Sequence, residues 1–189
     1  MSLNKIYDSV YENISGYDTA YTNKLTAVKN TLPLDKNTSI LDIGCGKGHY
    51  TRYLKDLGYN NIQGVEFSQY CCENYLKDLT VINEDWLELG PTLDNDAFDL
   101  AICMDVLEHI EPLNIRDFIK NIQRTCVDGI FGIANHSDFL DGNELHLIQE
   151  GIVWWGNLLC EYYSKVELIF EAFPNSSGDP KFFMFMVDR

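Results

Sequence analysis

From Ser39 onward the chain alternates between short apolar runs and stretches whose apolar residues recur every three or four positions. Short continuous or alternating apolar runs predict strands, and the longer period predicts helices. Ser39–Ile43 reads as a first strand, followed by a helix over Gly48–Leu57 with Tyr50, Tyr53, Leu54 and Leu57 on one face. Ile62–Val65 reads as a second strand and Gln69–Leu79 as a second helix. Thr80–Ile82 predicts a short third strand and Phe98–Met104 a fourth, whose Ala-Ile-Cys-Met run suits burial on both faces. Pro112–Cys126 carries the most regular helical pattern, with Ile115, Phe118, Ile119, Ile122 and Cys126 at i, i+3, i+4 spacing and Pro112 suited to a first turn. Gly129–Ala134 predicts a fifth strand and Gly151–Tyr163 a helix. Lys165–Phe173 and Phe182–Val187 then predict two strands around a Pro-, Asn-, Ser- and Gly-rich turn at 174–180.

Strands alternating with helices predict an α/β fold: a doubly wound, Rossmann-like sheet of about seven strands with helices on both faces. The sheet should be mostly parallel. The last two strands lack an intervening helix, so the final strand should run antiparallel. Before residue 35 lie two helical segments, near Lys5–Ile14 and Asp18–Thr31, carrying Tyr7, Tyr11, Tyr17 and Tyr21. They suit either a lid over the strand ends or a cover for one sheet face. The expected organisation is a helical segment over 1–34 and a body over 35–189, together one domain.

Composition narrows the setting. A chain of 189 residues with 46% apolar and 23% charged residues can bury a core without cross-links. The six cysteines include several in apolar runs, where reduced cysteine behaves as a small hydrophobe. No apolar run approaches the roughly 20 residues of a membrane span, and Met1 to Ile14 lack the features of a signal peptide. A cytoplasmic protein without membrane association is expected, as a monomer or homodimer. Fourteen basic against 29 acidic residues give a net charge of −15. Such a field repels phosphate backbones and disfavours nucleic acid as a partner.

Gly44-Cys45-Gly46-Lys47-Gly48 follows the first strand, where ligands bind in such sheets. Glycines at alternate positions permit a sharp turn and close approach of backbone to ligand. A dinucleotide fingerprint reads G-x-G-x-x-G, and here the third glycine arrives one residue early. A triphosphate loop ending in Gly-Lys-Ser/Thr is also missing.

Ile40–Gly48, an apolar strand ending Asp42-Ile43 before G-x-G-x-G, resembles motif I of class I S-adenosylmethionine (SAM) dependent methyltransferases. The resemblance implies that Asp42, Gly44, Cys45 and Gly46 belong to the cofactor site, with the loop against the methionine and ribose portion. It implies that Glu66, ending the second strand before Phe67, takes both ribose hydroxyls. A carboxylate can accept two hydroxyl bonds at once, and it would repel a 2′-phosphate. Asp85 and Trp86 stand where that family holds the adenine amino group and packs the ring. Asp85 suits a helix cap equally well, and Trp86 suits the core. Phe98–Ile110 resembles motif IV and its Val106-Leu107-Glu108-His109 continuation, placing Met104 and Asp105 along the cofactor. The likeness spans Ile40 to about Ala134. A further likeness, Glu144–Ile148 followed by Trp154-Trp155, is shared with small-molecule and sugar-modifying members, although a Trp pair is equally a core feature.

The implied reaction moves the SAM methyl group to an O or N nucleophile of a small molecule, a sugar or glycan precursor among the candidates, leaving S-adenosylhomocysteine. Such a displacement needs alignment and exclusion of water, and a hydroxyl nucleophile needs a base. His136, His109 and His146 are the candidates because imidazole titrates near neutrality. His136 directly follows the fifth strand, whereas His109 reads as part of the architecture. Glu108 beside His109 suggests a metal pair, but no further ligand follows at sensible spacing, so no metal is expected. Two other functions keep the same cofactor residues: a SAM- or nucleoside-binding protein without catalysis, and a methyltransferase acting on a macromolecule.

Overall fold

A computed structural model describes residues 3–14, 16–17, 22–140, 142–174 and 180–189. Two N-terminal helices, α1 (Leu3–Asn13) and α2 (Thr22–Thr31), precede the alternating body. The body runs β1 (Ile40–Ile43), α3 (His49–Asp56), β2 (Ile62–Glu66), α4 (Gln69–Tyr75), β3 (Val81–Asn83) and α5 (Trp86–Leu89). It continues through β4 (Phe98–Met104), α6 (Ile115–Thr125), β5 (Cys126–Ala134), a hairpin of β6 (Phe139–Leu140) and β7 (Asn143–Glu144), and α7 (Ile152–Leu159). Strands β8 (Lys165–Pro174) and β9 (Pro180–Asp188) close it. Single 3₁₀ turns lie at Gly90–Thr92 and Leu107–His109.

Seven strands form one sheet in the order β3-β2-β1-β4-β5-β9-β8. The first five in this order pair in parallel, and β9 is antiparallel to both β5 and β8. The expected doubly wound sheet with an antiparallel final strand is the one observed. Its switch point lies between β1 and β4, where the chain turns from building one side to the other. In such sheets the crevice for a ligand opens there, beyond the strand carboxyl ends.

The period-2 pattern of buried strands sorts the core into two layers. Leu41, Ala101, Cys103, Phe131 and Ile133 face α6 and α7, where Phe118, Ile119, Ile122 and Trp155 meet them. Ile40, Leu100, Ile102 and Ile130 face the other way, onto Val28 of α2 and Tyr50 and Leu54 of α3. Fully burying an aliphatic side chain such as Ile122 stabilises by about 1.5–3 kcal/mol, which is why α6 follows its predicted face so closely.

Several boundaries differ from the sequence reading for local reasons. Gly48 sits at φ 77°, a left-handed cap, so α3 begins only at His49. Helix α6 starts at Ile115, with Pro112 ahead of its first turn rather than in it, and passes into β5 at Cys126 without a loop. Helices α4 and α7 end four residues earlier than expected. The one-turn helix α5 and the β6–β7 hairpin have no signal in the pattern because each is shorter than one hydrophobic period. Asp18–Ala20 and Tyr21, expected to open the second helix, and most of the 174–180 turn lie outside the described residues. No helix among the described residues is long and apolar enough to cross a membrane.

Candidate active site

The glycine loop bridges β1 and α3. The Gly44 and Cys45 amides both donate to Val65 O, at 2.8 and 3.0 Å, tying the loop to β2. Gly44 takes φ 67°, and a Cβ there would lie 2.5 Å from a Val106 methyl. Only glycine meets both demands, so the loop lies flat against the segment after β4. Beneath it, buried Asp42 accepts a 2.6 Å bond from the Thr51 hydroxyl, which fixes the start of α3 to β1.

Glu66 ends β2 with its carboxylate buried beside this loop. One oxygen accepts from the Gly46 amide at 2.9 Å and the other from the Ser68 amide at 2.8 Å. These bonds orient the carboxylate, and a carboxylate oxygen accepts more than one bond. That is what pairing with two vicinal hydroxyls requires.

A cavity of about 480 Å³ opens over these residues, at the strand carboxyl ends beside the switch point. The size is ordinary for a small-molecule site. Of the residues predicted to bind cofactor, Gly44, Gly46, Glu66, Phe67, Asp85, Trp86, Met104 and Asp105 all line it. Asp42 and Cys45 are not on its wall. Asp42 lies under the loop with Thr51, and the Cys45 thiol packs toward Gly64 of β2. Asp85 fulfils the cap reading while also facing the cavity: its side chain accepts from Leu87 N at 2.9 Å and caps α5. Trp86 likewise belongs to the core and to the wall, with its ring edge against Phe118 and its indole N–H donating to Phe118 O at 3.3 Å.

The N-terminal helices supply a second wall through Tyr7, Tyr11, Tyr17 and Lys24. Two polar anchors hold them there. Asp8 accepts from the Ser68 hydroxyl at 2.6 Å and from Tyr70 N at 3.0 Å, placing an anion at the start of α4. Lys24 forms an ion pair with Asp105 at 2.9 Å and lies over the Phe182 ring at 3.4 Å. Asp105 itself takes a strained φ of 55°, with its amide donating to Gly132 O at 2.8 Å. Lys24 is buried on the same face of α2 as Val28, but a lone lysine among apolar positions carries no signal of its own in the sequence. Only the tertiary pairing with Asp105 marks it.

The three candidate histidines converge on a third wall, formed by the 107–109 turn, the end of β5 and the segment after β7. The His109 and His146 ring centroids are 4.6 Å apart, and those of His136 and His146 are 4.9 Å apart. His136 is exposed, whereas His109 and His146 are buried. His109 Nδ1 lies 3.0 Å from Leu145 O and 2.5 Å from the Tyr7 hydroxyl, and His146 Nδ1 lies 2.5 Å from His136 O. A carbonyl can only accept, so we assign the proton of each buried ring to Nδ1. Burial, followed by the neighbouring His146, pushes His109 down to about 3. Burial also lowers His146. Both rings are therefore neutral at physiological pH. Glu108 is completely buried behind them, accepting from Ala134 N at 2.8 Å, and burial followed by Asp105 raises its carboxyl well above the usual range. The Trp pair stays outside the cavity wall, with Trp155 in the core and Trp154 partly exposed.

A glycine loop after β1, an anchored acid after β2 and a cavity at the switch point define the class of SAM-dependent methyltransferase folds. A methyltransferase-domain family profile matches residues 17–168, and the chain belongs to that family. The fold superposes on a SAM-dependent methyltransferase from Archaeoglobus fulgidus with a TM-score of 0.74 over 100% of both chains, at 12% identity. A Burkholderia thailandensis 1,6-didemethyltoxoflavin-N1-methyltransferase, solved with 1,6-didemethyltoxoflavin and S-adenosylhomocysteine bound, matches at TM-score 0.67 and 15% identity, over 99% of this chain and 87% of that one. Among curated proteins, the cyclopropane-fatty-acyl-phospholipid synthase of Escherichia coli is 27% identical over 129 residues, 64% of this chain and 32% of that protein. The ubiquinone biosynthesis O-methyltransferase of Rickettsia canadensis is 30% identical over 131 residues, 67% of this chain and 55% of that protein. The chain thus spans about a third to about half the length of these relatives.

Proposed function

We propose that this chain binds SAM in the cavity and transfers its methyl group to an O or N nucleophile of a small molecule. The carrying observation is the Glu66 carboxylate, held by the Gly46 and Ser68 amides on the cavity wall beside the glycine loop. When bound, SAM supplies a methyl group activated by its sulfonium. Glu66 holds the ribose, Asp85 accepts from the adenine amino group, and Trp86 and Phe67 pack against the flat and apolar parts. Met104 and Asp105 border the methionine end. Helices α1 and α2 act as a lid, since Tyr7, Tyr11, Tyr17 and Lys24 line the side of the cavity that the sheet leaves open. Closure excludes water and aligns the acceptor, the main demands of an in-line displacement.

A small acceptor is favoured by the size of the cavity, about 480 Å³, by the net charge of −15 and by the O-methyltransferase among the relatives. A sugar acceptor draws no support from the Trp pair, which lies off the cavity wall. Isothermal calorimetry with SAM and S-adenosylhomocysteine tests the central reading. One site per chain is expected for each, and absence of binding for both at millimolar concentration overturns it. Binding without turnover on any small acceptor would instead favour a non-catalytic SAM-binding protein.

A further inference from the structure

We propose that Glu108, His109 and His146 form a binding site for one divalent transition-metal ion on the third wall of the cavity. All three side chains are buried, and a potential ligand atom from each lies within 4.8 Å of the others. Donors about 2.0–2.2 Å from one ion stand roughly 3.4 Å apart in a tetrahedral site, so modest side-chain rotation closes this triangle. The sequence reading expected no metal because only Glu108 and His109 adjoin. The third donor arrives from the far side of the β6–β7 hairpin, which the fold returns to the 107–109 turn through Ile148 N donating to Glu108 O at 3.0 Å.

Two independent features point to a cation rather than to simple packing. The second oxygen of Glu108, Oε2, is completely buried and has no hydrogen-bond partner. A buried polar atom left without a partner is costly unless something binds it. Both imidazoles, moreover, have Nδ1 turned to backbone carbonyls, Leu145 O and His136 O. That arrangement leaves the lone pair on Nε2 and fixes each ring in orientation, as outer-shell partners do for metal-ligating histidines. Two imidazoles and one carboxylate suit zinc, iron or manganese, and disfavour the all-oxygen coordination of calcium. Asp138, whose Oδ2 lies 3.9 Å from His146 Nε2, adds negative charge nearby.

His109 and His146 reach the cavity wall while Glu108 lies behind it, so an open coordination position faces the cavity. There the ion would hold an oxygen of the methyl acceptor. This last step rests on the methyl-transfer reading, whereas metal binding itself does not.

The test uses the full chain, dialysed against chelator and titrated with Co²⁺ alone while its visible d–d absorption is recorded. One Co²⁺ per chain is expected. Glu108→Gln and His146→Ala should each weaken that affinity at least about tenfold, since even outer-shell losses cost 10–100-fold. Both variants should still bind S-adenosylhomocysteine, which confirms their fold. In the unmutated chain, Zn²⁺ should shift the ¹⁵N resonances of His109 and His146 but not of His49, which needs no variant at all. Absence of stoichiometric Co²⁺, unchanged affinity in both variants, or unshifted His109 and His146 resonances overturns the site. Metal binding without cofactor binding would overturn the methyltransferase reading and leave the metal site standing.

Discussion

At the scale of single residues, the site divides into side chains whose role follows from chain position and side chains whose role follows from contact. Glu66 belongs to the first group. It ends a strand, so its placement at the crevice follows once the strand is recognised, and its carboxylate lies where the alternation puts it. The histidines belong to the second. Nothing in their spacing says that His136, His109 and His146 share a wall, because the convergence depends on a hairpin too short to leave a hydrophobic signature. Burial then separates them. A base must reach the acceptor, which the exposed His136 can do more readily than the two buried rings. On an acceptor identified by screening, His136→Ala should lower kcat by about 10²–10⁴-fold with little change in the affinity for S-adenosylhomocysteine. Full turnover by this variant would remove His136 from the base role.

At the scale of elements, the body was legible almost throughout because its strands are buried on both faces and its helices on one. Helix α6 shows this best: Ile115, Phe118, Ile119 and Ile122 of its predicted stripe are all buried in the core layer that β4 and β5 share, and Cys126 already begins β5. The N-terminal helices were harder to place. An amphipathic helix reports that it covers something, and not what it covers. In the structure two polar anchors, Asp8 on the start of α4 and Lys24 on Asp105, tie α1 and α2 beside the cavity, while Val28 of α2 packs on the sheet. Neither anchor is visible in the pattern, since each pairs residues about 60 to 80 positions apart. Removing both should loosen α1 and α2 without unfolding the sheet. The Asp8→Ala/Lys24→Ala double variant is expected to be cleaved by trypsin within residues 1–34 several-fold faster than the parent chain, because local opening sets the cleavage rate. Hydrogen exchange in β1, β4 and β5 should remain unchanged. Equal cleavage of the two proteins would mean that apolar packing alone, through Val28 and Tyr7, holds the segment.

At the scale of the whole molecule, one cavity draws its walls from elements spread along the chain: α1, α2, the glycine loop, the ends of β2 and β4, and the segment after β5. A ligand that fills it must therefore stabilise the assembly rather than one local contact. Binding to the folded state alone adds RT ln(1 + [L]/Kd), about 2.7 kcal/mol when ligand stands at a hundred times its Kd. For a chain of 189 residues each kcal/mol raises Tm by about 2–4 °C, so S-adenosylhomocysteine at that concentration should raise Tm by about 5–10 °C. Glu66→Ala should remove most of this increment. In the proposed ribose role the carboxylate would contribute hydrogen bonds of about 1.5–3 kcal/mol each, so its loss would lower occupancy at the same ligand concentration. The same variant should leave the Co²⁺ affinity of the histidine wall intact, because Glu66 ends β2 and Glu108 lies in the turn after β4, on opposite sides of the switch point. A full thermal shift in Glu66→Ala would mean that the ligand is held elsewhere, and with it would go the reading of the glycine loop and β2 as the place where the cofactor is grasped.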